Sequence, residues 1–305
     1  MSGTWKIPAE SPLFMLAFDH RRSIRGLFGI PGKPTSRDAV RIADAKRIIF
    51  DGLFAARDGI GGVGVPALLV DEEFGSEVLH LARAYDVVAA LACERSGQAE
   101  FQFEHGEDFP GHIAGFDPEL IKALVRFNPD GDQEVNGRQI KRLRRLSDWL
   151  ATEDRELLLE LLVPPDPHQL RSVGDDRTRF DAELRPELVC RAVIELQDAG
   201  VEAALWKIEG LERRSDCERI AAICRRQGRD RVSCLILGRG ADQSKVEHWL
   251  RTAAPVAGFA GFAVGRTIWW EAIASHLAGE LNRADATARI AERYLHFVDV
   301  YHDAR

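Results

Sequence analysis

Eight short apolar segments recur along this chain, each five to seven residues long, and longer stretches with helical periodicity separate most of them. The segments are near-continuous in hydrophobicity rather than alternating, which is typical of parallel strands covered on both faces. The predicted strands are Leu13–Phe18, Pro66–Val70, Val87–Cys93, Ile121–Phe127, Leu157–Val163, Ala203–Ile208, Val232–Leu237 and Gly258–Val264.

Six of the intervening stretches carry apolar residues at the spacing of an amphipathic helix. In one of them, apolar residues from Leu188 to Leu196 share one face, and Gly200 follows as the expected C-cap. The predicted helices are 139–150, 186–199, 215–226, 243–253, 267–278 and 285–301.

This alternation in a chain of 305 residues predicts an α/β fold, a (β/α)8 TIM barrel formed as a single domain over residues 1–305. A doubly wound open sheet is the alternative, and it is disfavoured because no G-x-G-x-x-G follows the first strand. In a barrel, the loops after the strands form the active face. Two long polar loops, 96–116 and 164–179, are expected there.

Composition excludes several classes of protein. The formal net charge is −7, whereas a nucleic-acid-binding domain usually carries a basic balance. No apolar run approaches the ~20 residues needed to span a bilayer. The N-terminus lacks the pattern of a signal peptide, and the five cysteines contain no C-x-x-C pair. We therefore expect a cytoplasmic protein with buried free thiols and neither nucleic acid nor membrane as a partner.

Three charged residues interrupt the apolar strands: Lys122 on the fourth, Glu160 on the fifth and Lys207 on the sixth. Lys and Glu are almost never fully buried unless they are paired. A lysine held neutral in such a cavity can attack a carbonyl and form a Schiff base. The alternative is a buried ion-pair network that only fills the barrel.

Polar residues also follow the ends of several strands, where a barrel places its chemistry. Gly238-Arg239-Gly240 and Gly265-Arg266 end the seventh and eighth strands and predict a phosphate site, with surface turns as the alternative. His20 is the best candidate for an active-site histidine, or else a hydrogen-bonded structural group. The other candidates for contact with a substrate are Asp19, Arg21, Glu94, Arg126 and Glu209.

Neither a metal nor a cofactor is expected. The nine histidines show no H-x-H or H-E-x-x-H spacing. His105 and His112, with Glu104, Glu107 and Asp108 nearby, offer the alternative of a loop metal site, but a solvated polar loop is favoured.

These strand ends resemble those of class I aldolases of the tagatose-bisphosphate aldolase type. The matching segments are LLVDEEFG (68–75), CERSG (93–97), the strands with Lys122 and Glu160, WKIEG (206–210) and GRTIW (265–269). The sequence is more similar still to the aldolase-like domain fused to the sugar kinase 5-dehydro-2-deoxygluconokinase of inositol catabolism. That likeness rests on RFNPD (126–130), ELLVPP (160–165), WKIEGL (206–211), ILGRGAD (236–242) and GFAVGRTIW (261–269), and extends from Phe14 to about Tyr301.

The resemblance implies a metal-independent carbon–carbon lyase in which Lys207 is the Schiff-base lysine. Glu160 would be the general base, and Lys122 would keep Lys207 deprotonated by repulsion between like charges. Asp19 matches the acidic residue that ends the first strand, and Arg266 matches the phosphate ligand. The implied substrate is 5-dehydro-2-deoxygluconate 6-phosphate, giving dihydroxyacetone phosphate and malonate semialdehyde.

Two departures from the tagatose type leave alternatives open. His20 stands where that family tends to have Gln, and Pro164-Pro165 follows the fifth strand. Tagatose bisphosphate or a sulfofructose phosphate would need a second anion site, which Arg21, Arg22, Arg95 or Arg126 could supply. A non-catalytic regulator that binds a phosphosugar is the other alternative. A homo-oligomer and a separately encoded sugar kinase are further partners that the sequence leaves open.

Overall fold

The computed structural model describes residues 11–305, and within them eight parallel strands close into a barrel in sequential order. Each predicted strand is present, with ends within two residues of the predicted ones, so the (β/α)8 barrel is confirmed. The strands are β1 (Leu13–Ala17), β2 (Val65–Val70), β3 (Val88–Ala92), β4 (Leu120–Arg126), β5 (Glu156–Leu162), β6 (Leu205–Glu209), β7 (Ser233–Leu237) and β8 (Phe259–Val264). The N-terminal segment that lacks a signal-peptide pattern falls largely within residues 1–10, which lie outside the described residues.

Helices surround the barrel, and all six predicted ones are present. Residues 133–152 form a helix that begins six residues before its predicted start, because the Asp132 carboxylate accepts hydrogen bonds from the Glu134 and Val135 amides. The helices of the described chain are α1 (Ile24–Leu27), α2 (Ser36–Ala56), α3 (Glu72–Ala84), α4 (Phe109–Phe116), α5 (Gln133–Thr152), α6 (Pro167–Ser172), α7 (Arg177–Arg179), α8 (Arg185–Asp198), α9 (Arg214–Cys224), α10 (Gln243–Ala253), α11 (Arg266–Leu277) and α12 (Arg283–Ala304).

Alternate residues of each strand contribute to two apolar cores, as the period of two requires. One core lies between the barrel and its helices, and the other fills the barrel interior. Leu120, Leu158 and Leu205 belong to the interior core, one each on β4, β5 and β6. Two positions further along these strands stand Lys122, Glu160 and Lys207, so the apolar filling gives way to charge towards the carboxyl end.

The two predicted polar loops contain more structure than expected. In the segment 96–116, Phe101, Phe103 and Ile113 are buried, and the chain ends in α4. An antiparallel bridge joins Glu94 to Phe103 and folds this segment back on itself. The segment 164–179 contains α6 and α7. The expectation of open polar loops was wrong, because the buried aromatic residues are spaced too irregularly to show a period.

All five cysteines are buried and unpaired, as expected. Among the helices of residues 11–305, none combines the length and the hydrophobicity needed to cross a bilayer.

Candidate active site

A cavity of about 900 Å³ opens at the carboxyl end of the barrel. Its walls come from the ends of β1 and of β3 to β8, together with the loops that follow them. The cavity is lined by all of the sequence-predicted site residues, namely Asp19, His20, Arg21, Glu94, Lys122, Arg126, Glu160, Lys207, Glu209, Gly238, Arg239, Gly240, Gly265 and Arg266.

Glu160 lies between two lysines at the floor of this cavity. Its Oε2 atom is 2.9 Å from Nζ of Lys207 and 3.1 Å from Nζ of Lys122. Glu160 and Lys207 are register partners on β5 and β6, and all three side chains are more than nine-tenths buried. The strand pairing therefore fixes this contact, and the ion-pair network considered from sequence is present.

Lys122 has two further carboxylate partners. Its Nζ is 2.7 Å from Oδ2 of Asp19 on one side and 2.7 Å from Oε1 of Glu94 on the other. Burial by itself would lower the pKa of Lys122, but Asp19, Glu160 and Glu94 outweigh burial and raise this pKa well above its ordinary value. Lys122 is therefore a permanent cation.

The three carboxyl groups of the cluster respond differently to their surroundings. Burial tends to raise the pKa of Asp19 and of Glu160, but the neighbouring lysines overcome it and hold both pKa values below the ordinary range. For Glu94 burial prevails over Lys122 and Arg21, so its pKa is raised. Glu94 is thus the carboxyl of the cluster that takes up a proton most readily.

This balance of charge corrects one expectation about Lys122. The cluster contains three carboxylates, Asp19, Glu94 and Glu160, against two lysines. The positive charge of Lys122 is matched locally, so these carboxylates offset the repulsion that was expected between Lys122 and Lys207. The group in position to accept a proton from Lys207 is its hydrogen-bond partner Glu160.

His20 stands beside this cluster and is neutral. Its Nδ1 lies 3.8 Å from Oδ1 of Asp19, and its ring meets the edge of the Trp269 ring. Burial lowers the pKa of His20 to about 4, despite the attraction of Asp19. A neutral imidazole at this position can donate or accept a hydrogen bond.

Three of the predicted substrate or phosphate ligands are occupied by other protein groups. Arg21 donates to the Glu94 carbonyl oxygen and, at 3.0 Å, to Glu104. Arg239 is paired with Glu209 at 3.0 Å and with Asp181 at 2.6 Å. Glu209 also accepts a hydrogen bond from the backbone amide of Val163, the residue after β5. These side chains hold the cavity wall in place, and they are less available to a ligand than the sequence suggests.

The Arg266 guanidinium is available for an anion. It donates to the Arg239 carbonyl oxygen at 3.1 Å, and it has no carboxylate partner within the described chain. Gly240 has a φ of +69°, and a Cβ atom there would lie 2.4 Å from the Arg266 guanidinium. Gly265 similarly approaches the Ala17 carbonyl so closely that a Cβ atom would lie 2.3 Å from it. Gly265 is therefore required by its contact with backbone, and Gly240 is favoured by its positive φ.

The N-terminus of α11 contributes backbone amide donors in addition to the Arg266 guanidinium. The helix begins at Arg266, and Gly265 provides no side-chain cap. The Ile268 amide donates to the Gly265 carbonyl oxygen at 2.8 Å, whereas the Arg266 and Thr267 amides have no backbone acceptor in the described chain and lie at the positive end of the helix dipole. Together with Arg266 and the loop 238–240, they form the kind of cradle that binds phosphate in barrels.

Two more arginines line the rim with Arg126, and the sequence named both as candidates for a second anion site. Arg22 follows β1 and Arg95 follows β3, and both line the cavity and are exposed. Like Arg126, neither has a carboxylate partner among residues 11–305. Each of the two stands next to a predicted site residue in the sequence, but many strand ends in this chain contain arginines, so this position alone did not single them out.

A second polar cluster lies outside the cavity. The side chains of Glu72, His105 and His112 converge there, and the two imidazole rings stack with centroids 3.9 Å apart. The acidic residue that joins the histidines is Glu72, whereas the sequence favoured a solvated polar loop and offered Glu104, Glu107 and Asp108 as the acidic residues of the alternative. Burial lowers the pKa of His112 to about 4.

Residues 3–305 match a bacterial family described as "Uncharacterized protein conserved in bacteria (DUF2090)". The chain belongs to this family. Among the curated proteins no sequence matches this DUF2090 chain. Its fold is similar to that of Cgl0159 from Corynebacterium glutamicum, with 16% identity, a TM-score of 0.57, and coverage of 94% of this chain and 87% of the other.

This DUF2090 barrel is also similar to a fructose-bisphosphate aldolase from Plasmodium falciparum, solved in complex with TRAP and a small-molecule inhibitor. The identity is 14% and the TM-score 0.62, over 94% of this chain and 90% of the aldolase chain. At these identities the similarity shows a shared fold, and that fold is one that aldolase barrels also adopt.

Proposed function

We propose that this DUF2090 protein is a class I aldolase that cleaves a phosphorylated ketose through a Schiff base on Lys207. The observation that carries the proposal is the contact between Lys207 and Glu160 inside a cavity whose rim offers Arg266 to an anion. A reactive amine, a proton acceptor and an anion cradle are the parts that such a reaction requires.

The first step uses Lys207 as nucleophile. Glu160 takes a proton from the Lys207 ammonium, and the amine adds to the ketone to give a carbinolamine. Glu160 returns the proton to the carbinolamine hydroxyl, which leaves as water, and an iminium ion remains. The iminium accepts the electron pair of the bond between the α and β carbons of the former ketone when that bond breaks. The hydroxyl on the departing carbon gives up its proton and becomes an aldehyde, while an enamine remains on Lys207. Protonation and hydrolysis of the enamine then release the second product.

Two carboxyl groups are candidates for the base that accepts the hydroxyl proton. Glu160 is favoured because it contacts Lys207, and therefore lies beside the carbon chain of any ketone bound there. Glu94 is the second candidate because burial raises its pKa, which makes it a stronger base than an ordinary carboxylate. Lys122 joins both groups and would hold the oxygen of the hydroxyl by its permanent charge.

The phosphate would bind at the ends of β7 and β8, which follow the Lys207 strand around the barrel. Phosphate bound there is remote from the bond that breaks, so its binding energy can orient the ketone against the amine. A phosphate one carbon from the ketone fits this arrangement, and cleavage of such a ketose yields dihydroxyacetone phosphate.

The opposite rim supports a substrate with a second acid group. Arg22 and Arg95 follow β1 and β3, Arg126 is the last residue of β4, and none of the three has a carboxylate partner in the described chain. A planar carboxylate can accept two hydrogen bonds from one guanidinium. We therefore propose 5-dehydro-2-deoxygluconate 6-phosphate as the substrate, with malonate semialdehyde as the second product. A ketose bisphosphate or sulfonated ketose phosphate is the alternative that the same arginines leave open.

Borohydride trapping tests the proposal. The protein is incubated with dihydroxyacetone phosphate, reduced, digested and analysed by mass spectrometry, with Lys207→Met and the exposed-surface variant Lys141→Met as the matched pair. We expect an adduct on Lys207 in the wild type and in Lys141→Met, and none in Lys207→Met. Cleavage activity that survives in Lys207→Met would refute the Schiff base. Phosphosugar binding without an adduct would instead favour a non-catalytic regulator.

A further inference from the structure

The cluster of Glu72, His105 and His112 has the composition and spacing of a metal site. The ligand atoms of these three side chains all lie within 4.8 Å of one another. Oε1 of Glu72 is 3.4 Å from Nε2 of His105 and 3.7 Å from Nε2 of His112. Two ligands at bond lengths of ~2.0–2.1 Å around a tetrahedral ion are separated by roughly 3.4 Å, so the observed separations need little adjustment.

Unsatisfied buried atoms point to the same conclusion. The His112 side chain is 6% exposed, and neither of its ring nitrogens has a hydrogen-bond partner. Oε2 of Glu72, on a side chain that is 10% exposed, also has no hydrogen-bond partner. Buried polar atoms are nearly always paired in native proteins, so this group of unpaired atoms calls for a ligand.

The nearest positive charge is already balanced. Arg21 NH1 lies 3.7 Å from Oε1 of Glu72, where it would oppose a cation. The same guanidinium is 3.0 Å from Glu104 and donates to the Glu94 carbonyl oxygen. Arg21 therefore has its own acceptors, and Glu72 is left for the two imidazoles.

We propose that Glu72, His105 and His112 bind one divalent transition-metal ion of the zinc class, with water completing the coordination. Two imidazoles and one carboxylate suit Zn²⁺ better than the oxygen-seeking Mg²⁺ or Ca²⁺. The ion joins the first turn of α3 to the segment after β3, which begins with Glu94 and Arg95 at the cavity. Its role is to hold this rim, and the reaction at Lys207 does not pass through it.

Cobalt titration tests the site directly. Protein stripped with a chelator is titrated with Co²⁺, whose tetrahedral complexes absorb far more strongly in the visible range than octahedral ones, and bound Zn²⁺ is counted by elemental analysis. We expect one equivalent of each ion in the wild type. His105→Ala and Glu72→Gln should weaken binding at least ~100-fold, since even the loss of a supporting group beyond the ligands costs ~10–100-fold.

His302→Ala, which removes an exposed histidine of α12, is the matched control and should bind as the wild type does. The side chain of His105 is exposed, so His105→Ala should fold normally, whereas His112→Ala leaves a buried gap. Wild-type protein without stoichiometric binding would overturn the proposal. Equal affinity in His105→Ala and the wild type would do so as well. The site does not depend on the proposed aldolase activity.

Discussion

The Nζ atom of Lys122 lies 3.1 Å from the Oε2 atom of Glu160. The same oxygen accepts a hydrogen bond from Lys207 at 2.9 Å. One carboxylate oxygen on β5 thus connects lysines from the two strands beside it, β4 and β6. Any change of Glu160 therefore alters the surroundings of both lysines at once.

Glu160→Gln should reduce kcat by about 10²–10⁴-fold, the range for loss of a general base. It should also slow borohydride-trapped adduct formation, because the proton acceptor next to Lys207 is lost. Glu94→Gln should still form the adduct, but it should cleave the substrate slowly if Glu94 accepts the proton of the substrate hydroxyl. Glu156→Gln, at the other end of β5, is the control and should keep wild-type activity. Normal adduct formation in Glu160→Gln would contradict this account.

Arg266→Gln should raise the KM for a phosphorylated ketose about 10- to 100-fold, since a charged hydrogen bond contributes ~1.5–3 kcal/mol. The kcat should fall less, because the anchor is remote from the breaking bond. Inhibition by inorganic phosphate should weaken in parallel. Arg251→Gln, an exposed arginine of α10 paired with Glu247, is the control. An unchanged KM in Arg266→Gln would exclude the predicted phosphate site.

The arginines of the opposite rim should discriminate between substrates. Arg95→Gln and Arg126→Gln should each raise the KM about tenfold for a ketose phosphate that carries a carboxylate, by loss of one exposed charged contact. For a ketose monophosphate without a second acid group, the KM should hardly change. Steady-state kinetics with both substrates measure this difference. Equal effects on the two substrates would argue against carboxylate recognition at this rim.

A buried ion pair between Lys46 on α2 and Asp71 should dominate the stability of the region around β2. Both side chains are fully buried, and Asp71 also caps α3 by accepting from the Phe74 amide. Lys46→Met should lower the free energy of unfolding by about 3–5 kcal/mol, because it leaves a buried carboxylate without its cationic partner. Arg57→Met, which removes an exposed pair with Asp58, should cost less than ~1 kcal/mol. Denaturant titration compares the two variants.

The stability of the protein should fall as the pH is lowered from about 6.5 towards 4, partly because of His20. Its pKa is about 4 in the folded protein, against an ordinary value of 6.5. Between these values the unfolded chain binds a proton at His20 and the folded chain does not, so acid favours unfolding. In His20→Gln the slope of the free energy of unfolding against pH should be smaller, by up to the amount that the uptake of about one proton on unfolding produces. An identical slope in both proteins would contradict the lowered pKa.

The barrel and much of its site could be predicted because their signals are local. A strand covered on both faces must be apolar throughout, so Lys122, Glu160 and Lys207 stand out within their segments. The partners of Arg21 and Arg239 gave no such signal. Both arginines stand at strand ends in the expected places, yet Glu104 and Asp181, far away in sequence, occupy their guanidinium groups.

The sequence by itself determined the order of strands and helices and the strands that carry the buried charges, because burial imposes a pattern on neighbouring residues. Only the tertiary structure decided which distant groups meet. It set three carboxylates around Lys122, left Arg266 without a carboxylate partner in the described chain, and brought Glu72 to His105 and His112. The physical reason is that such contacts depend on barrel closure and loop packing, whereas periodicity records only which side of an element faces the core.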